Sequence, residues 1–158
     1  GCGRLFDAVA ALLGLVLCID YEGQGAVRLE KIQDMGTSSF YPMQLKSGQD
    51  LVNLDTLDLF AQVWEDFSSG TRPAIISRKF HLALAHGICN WAMQARKITS
   101  INTIGLSGGV MQNMTPSSRL EALLEGKGFQ VLVHHRLPPN DACVSLGQAF
   151  FGQCLLKS

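Results

Sequence analysis

Apolar residues return every three or four positions through most of the chain, so helix is the expected dominant element. Residues 4–17 carry Leu5, Val9, Leu12, Leu13 and Val16 at helical spacing, and Gly14 weakens a helix there without forbidding it. Residues 21–33 repeat the pattern less strongly, with Gly23 and Gly25 near the start and Ala26, Leu29 and Ile32 on one face. Between 35 and 52 the periodicity fails. Gly, Ser and Tyr-Pro mix there with alternating Met43 and Leu45, which suits a loop with an extended segment or a short hairpin. A third helix is predicted over 55–67, capped by Asn53 or Asp55, with Leu57, Phe60, Ala61 and Trp64 as its apolar face and Ser68-Ser69-Gly70 as its stop.

Pro73 suits a first helical turn, and Ile76, Phe80, Leu84, Ile88 and Trp91 follow at helical spacing, so the run to about Arg96 predicts the central buried helix. The remainder reads as a strand at 101–106, a helix at 117–125 stopped by Gly126 and Gly128, a strand at 130–134 and a final helix at 141–155. Strand, helix, strand, helix in that order predicts a right-handed parallel unit, and hence an α/β fold in which helix outweighs strand. Two parallel strands cannot cover both faces of a sheet, so further strands are expected from the middle loop or from outside this sequence.

At 158 residues and 47% hydrophobic content the chain can build one core, and a single domain is the default. Thirteen basic residues balance thirteen acidic ones with no long run of either, so nucleic acid is not an expected partner. The nearly uncharged stretch 8–19 is too short to span a bilayer and reads as a core helix. The start lacks a secretory signal and reads as the interior of a longer reading frame. Five cysteines without a C-x-x-C pair fit neither a disulfide framework nor a zinc site. A reducing cytoplasm is therefore expected, with Cys18, Cys89, Cys143 and Cys154 as small buried hydrophobes.

The segment richest in chemistry is Thr103-Ile104-Gly105-Leu106-Ser107-Gly108-Gly109-Val110-Met111-Gln112-Asn113, an apolar strand running into two glycines before a helix. Glycines there let the backbone approach a phosphate or nucleotide, the next helix offers N–H groups and a positive dipole end, and Asn113 can point an amide at the occupant. The same glycines also serve ordinary steric needs of a strand-to-helix turn. Leu137-Pro138-Pro139-Asn140-Asp141 follows the second strand, so Asp141 should approach the Gly108-Gly109 turn. A carboxylate beside a nucleotide suggests a metal ligand, although Asp141 or Asn140 could equally be the N-cap of the last helix. Arg4 and Asp7 lie one turn apart and could form an i,i+3 ion pair, while Tyr21-Glu22-Gly23-Gln24 could be a solvated helix start.

In order along the chain, G-R-L-F-D-A-V-A-A-L-L-G-L, Y-E-G-Q, F-H-L-A-L-A, L-S-G-G-V-x-Q-N and P-P-N-D-x-x-x-x-L-G-Q-A cover nearly all of it. Together they resemble the C-terminal region of HypF carbamoyltransferases, with similarity also to the TsaD family and to O-carbamoyltransferases such as TobZ. The resemblance implies a helix-rich lobe of the actin-like ATPase (ribonuclease-H-like) fold with a short, truncated parallel sheet. It implies that residues 1–158 are the second lobe of a TsaD-like domain within a larger multidomain protein. The reaction implied consumes carbamoyl phosphate and ATP, proceeds through carbamoyladenylate, and carbamoylates the C-terminal cysteine of HypE in nickel-iron hydrogenase maturation. In that frame Gly108, Gly109 and Asn113 hold the adenine nucleotide, Asp7 and Glu22 are candidates for the ribose, and Asp141 ligates a divalent metal. The HypE tail and the other HypF domains are the implied partners. Alternatives are a TsaD- or TobZ-like enzyme acting on tRNA or a small molecule, and a non-catalytic lobe that docks HypE.

This sequence departs from the family in several places. The first-lobe histidine pair that completes the metal site has no counterpart, and His81 and His86, five apart, read as packed helix residues, while His134 and His135 read as loop. Met114-Thr115-Pro116 stands where R-L-L is usual after the Asn, and Ala142-Cys143 where two glycines are usual after the Asp. Acylphosphatase, zinc-finger and YrdC-like parts are absent, so this chain alone is not expected to run the whole reaction.

Overall fold

A computed structural model describes residues 1–47 and 52–156. Six α-helices dominate it: α1 (Cys2–Leu12), α2 (Gln24–Lys31), α3 (Thr56–Ser68), α4 (Pro73–Thr99), α5 (Met114–Gly126) and α6 (Val144–Leu156). Two pairs of three-residue strands accompany them. β1 (Leu45–Ser47) and β2 (Val52–Leu54) pair antiparallel, and β3 (Thr103–Gly105) and β4 (Gln130–Leu132) pair parallel in the register Ile104 to Val131. The middle strands do not join the parallel pair, so the extra coverage expected from that loop is not there. Ser107 to Asn113 and 133–143 are the connections that leave the C-terminal ends of β3 and β4.

α1 stops five residues earlier than its periodicity suggests. Gly14 takes a left-handed conformation at φ 69°, its N–H bonds Ala11 O, and the Leu15 N–H bonds Ala10 O at 2.9 Å. That pair of bonds is a Schellman ending, which Gly reaches without the Cβ penalty other residues meet. Leu17 and Ile19 are consequently exposed loop residues, not part of a core helix. Cys18 and Cys154 are exposed and Cys143 is half-buried, so of the four cysteines expected inside only Cys89 is fully so; all five are free.

α4, about 40 Å long at 1.5 Å per residue, links two apolar clusters. Its N-terminal half (Ile76, Phe80, Ala83, Leu84) packs with Phe6, Val9, Leu29, Leu59 and Val63, and its middle (Ala85, Cys89) packs with Leu120, Leu124 and Phe129. Ile76, Phe80 and Leu84 are buried as their spacing predicts, but Trp91 is 45% exposed while Cys89, Ala92 and Met93 of the same turns pack on the second cluster, so Trp91 faces away from it. α3 is rotated from the face expected, though Phe60 of that face still packs partly on the core. Leu59 and Val63 are fully buried, whereas Leu57 is 80% and Trp64 55% exposed.

Candidate functional site

Four segments converge above the N-terminal core. α1 presents Arg4 and Asp7 beside Phe6, which is fully buried; the connection into α2 presents Glu22 and Gly23; the turn after β3 presents Gly109 to Gln112; and the segment after β4 presents Asn140 and Asp141. They enclose a cleft of about 580 Å³, and a smaller hollow of about 120 Å³ beside it adds Glu30 and Asn113. α1 and α2 approach closely at Gly25, where a Cβ would sit 2.7 Å from Asp7 Oδ1 and 3.2 Å from Ala10 Cβ. That approach holds Asp7 beside the α1–α2 connection.

The chain therefore brings Asp7, Glu22, Gly109 and Asp141 to one cleft. The approach of Asp141 to the glycine turn follows from the parallel strand order, while Asp7 and Glu22 are candidates by resemblance, and the contacts differ in detail. Gly108, at φ 105°, gives its N–H to Pro139 O at 2.6 Å, and Ser107 Oγ donates to the same carbonyl at 3.3 Å. Those bonds tie the glycine turn to the Pro139–Asp141 segment, so Gly108 shapes the cleft from behind and Gly109 lines it. The N-cap of the last helical segment is Asn140, whose Oδ1 accepts from Ala142 N at 3.2 Å and leaves the exposed Asp141 carboxylate free of capping. That segment opens as a single 3-10 turn, Asp141–Cys143, before α6. No ion pair joins Arg4 to Asp7 among the described residues.

Asn113 differs most from its expected role. Its side chain is buried, and its amide nitrogen lies 3.0 Å from Nε2 of His81 instead of addressing the main cleft. The start of α5 is likewise engaged: Thr115 N–H donates to Glu30 Oε1 at 3.2 Å, and Gln33 Nε2 donates to Thr115 Oγ1 at 3.0 Å. A carboxylate thus already faces the positive end of α5, and the Thr115 N–H, one of those expected to be free for a phosphate, is taken. His81 is the residue that sequence reasoning passed over. Its burial was foreseen, but a buried polar partner one helix away leaves no periodic trace.

The family profile described as "Carbamoyltransferase, Kae1-like Domain, second subdomain" matches residues 1–148. The chain belongs to this family. It is 33% identical over 147 residues to carbamoyltransferase HypF of Synechocystis sp., covering 92% of this chain and 18% of that protein. Among solved structures it matches full-length HypF in a phosphate- and nucleotide-bound form, with a TM-score of 0.90 and 35% identity over 99% of this chain and 20% of that one. T. kodakarensis HypF matches with a TM-score of 0.77 and 29% identity over 98% of this chain. The chain thus spans about a fifth of the length of these relatives, and its helix-rich α/β fold with a short parallel sheet is theirs.

Asp141 supplies one hard oxygen donor to the cleft. Among the described residues no group of three or more His, Cys, Asp or Glu side chains is placed to hold a metal ion. A divalent cation wants several such donors, so this donor set does not fit a resident metal by itself. Nor is any described helix long and apolar enough to cross a membrane.

Proposed function

We propose that this chain is the nucleotide-facing second lobe of a hydrogenase-maturation carbamoyltransferase, working with other domains of the HypF type to pass a carbamoyl group from carbamoyladenylate to the C-terminal cysteine of HypE. The observation that carries the reading is the convergence of Asp7, Glu22, Gly109 and Asp141 on one cleft of about 580 Å³. The likeness to a relative solved with phosphate and nucleotide bound supports it. The Gly108-Gly109 turn admits the adenine nucleotide without Cβ interference. Asp7 and Glu22 accept hydrogen bonds from ribose hydroxyls, and Asp141 lends one carboxylate to a divalent ion whose other ligands come from elsewhere in the protein. Transfer consists of attack by the cysteine thiolate on the carbamoyl carbon with AMP as leaving group. This chain's part is to bind and orient the adenylate.

Calorimetric titration of ATP, with and without Mg²⁺, into the full-length protein carrying Glu22→Gln or Asp141→Asn tests this. Both side chains are exposed, so folding should be unchanged. Each variant should bind about tenfold more weakly, as loss of a charge-assisted hydrogen bond or ligand implies, and Asp141→Asn should also lose sensitivity to Mg²⁺. Unchanged affinity in both would leave this cleft without a nucleotide role.

A further inference from the structure

We propose that His81 is a positioning residue for the cleft: its buried imidazole holds the carboxamide of Asn113, and through it the turn that frames the nucleotide. This rests on the nucleotide reading above. His81 is fully buried in α4 between Phe6 and Phe80. Its Nδ1 lies 2.7 Å from the main-chain oxygen of Ser77, and a carbonyl can only accept, so Nδ1 carries the hydrogen and Nε2 is left as an acceptor. Only the amide end of Asn113 can meet it, which sets the carboxamide's orientation.

Asn113 is free for this task because its ordinary one has been removed. As N-cap of α5 it would accept from the N–H of the second or third helical residue. The second is Thr115, whose N–H goes to Glu30, and the third is Pro116, which has none. No side-chain capping bond forms, and the side chain turns inward to His81. The arrangement leaves Asn113 Oδ1 buried without a hydrogen-bond partner. A buried orphan acceptor is destabilising, and native proteins hold few of them. With the hydrogen of His81 on Nδ1, only the amide end of Asn113 can face Nε2, so His81 sets the orientation despite the orphaned oxygen. Asn113 closes the 3-10 turn Gly109–Gln112, its N–H bonding Val110 O at 3.1 Å, and opens α5, its carbonyl accepting from Ser117 N. Gly109, Val110 and Gln112 of that turn line the main cleft, so whatever fixes residue 113 fixes the cleft's edge.

The test is ATP affinity of the full-length protein carrying His81→Leu, His81→Phe or His81→Gln, each measured well below its own Tm. Leu and Phe fill the apolar space without an acceptor, and Phe keeps a ring between Phe6 and Phe80 should Leu fail to fold. Gln restores an acceptor oxygen. Expected are a roughly tenfold loss of affinity in the apolar variants and recovery to within about threefold of wild type in His81→Gln. Wild-type affinity in a folded His81→Leu or His81→Phe would overturn the inference, as would a His81→Gln protein no better than the apolar ones. Failure of the wild-type protein to bind ATP would instead remove the nucleotide reading itself.

Discussion

At the scale of single residues, one buried imidazole carries a consequence for pH. Burial lowers the His81 pKa from its ordinary 6.5 to about 4; the bond to the Ser77 carbonyl opposes that drop and the Arg78 charge adds to it. The folded state therefore binds fewer protons than the unfolded one between those values, so stability falls as pH drops below about 6.5 and levels off near 4. The full effect is on the order of 3 kcal/mol. Urea unfolding at pH 7.5 and pH 4.5 should show a loss of stability in the wild-type protein that is markedly smaller in His81→Phe; equal losses would place the sensitivity elsewhere. Gly109 and Asp141 stand out in the sequence as a glycine turn and a carboxylate after the second strand, whereas Asp7 and Glu22 become candidates only through the family resemblance. The His81–Asn113 bond could not be read from sequence, since 32 residues separate its ends and neither residue is unusual in its own segment.

At the scale of elements, the sequence pattern placed the six described α-helices, and their ends answer to different local causes: a left-handed glycine after α1, a side-chain cap on α3 and Pro73 at the start of α4. Asp55, one of the two expected caps of α3, accepts from Asp58 N at 3.1 Å and pairs with Lys46, so it joins the hairpin to the helix. Lys46 first, then the Asp58 N–H, hold its carboxyl below the usual carboxylate range. Asp55→Ala should lower Tm by about 3 °C, whereas Asp55→Asn, which can still cap, should lose about half as much or less; thermal unfolding of both variants checks this. Identical shifts would mean that the Lys46 pair, not the cap, holds the junction. The inward face of α3 is rotated from the expected one for a physical reason, with Phe60 shared between the two. Both Leu57-Phe60-Ala61-Trp64 and Leu59-Val63 are apolar stripes at helical spacing, and only the seat of α3 on the core chooses between them.

At the scale of the whole molecule, α6 stands apart from both cores. None of its residues is buried, and Phe150, Phe151 and Leu155 are each more than 60% exposed. An exposed apolar surface of this kind should bind a hydrophobic dye. Replacing Phe150 and Phe151 together with Ser should cut dye fluorescence of the 158-residue chain while moving Tm by no more than about 2 °C, because surface substitutions leave packing untouched. A large fall in Tm would show that α6 supports the fold after all. The sequence by itself determined the order of helices and strands, the parallel pairing of β3 with β4 and the family, because these depend on local periodicity, turn residues and motif order. Only the tertiary structure decided which face of α3 is buried, that Asn113 is held by His81, and that Glu30 occupies the start of α5. Each of those depends on side chains from separate helices meeting in three dimensions, where hydrogen-bond geometry and exclusion of water choose among options that are locally equivalent.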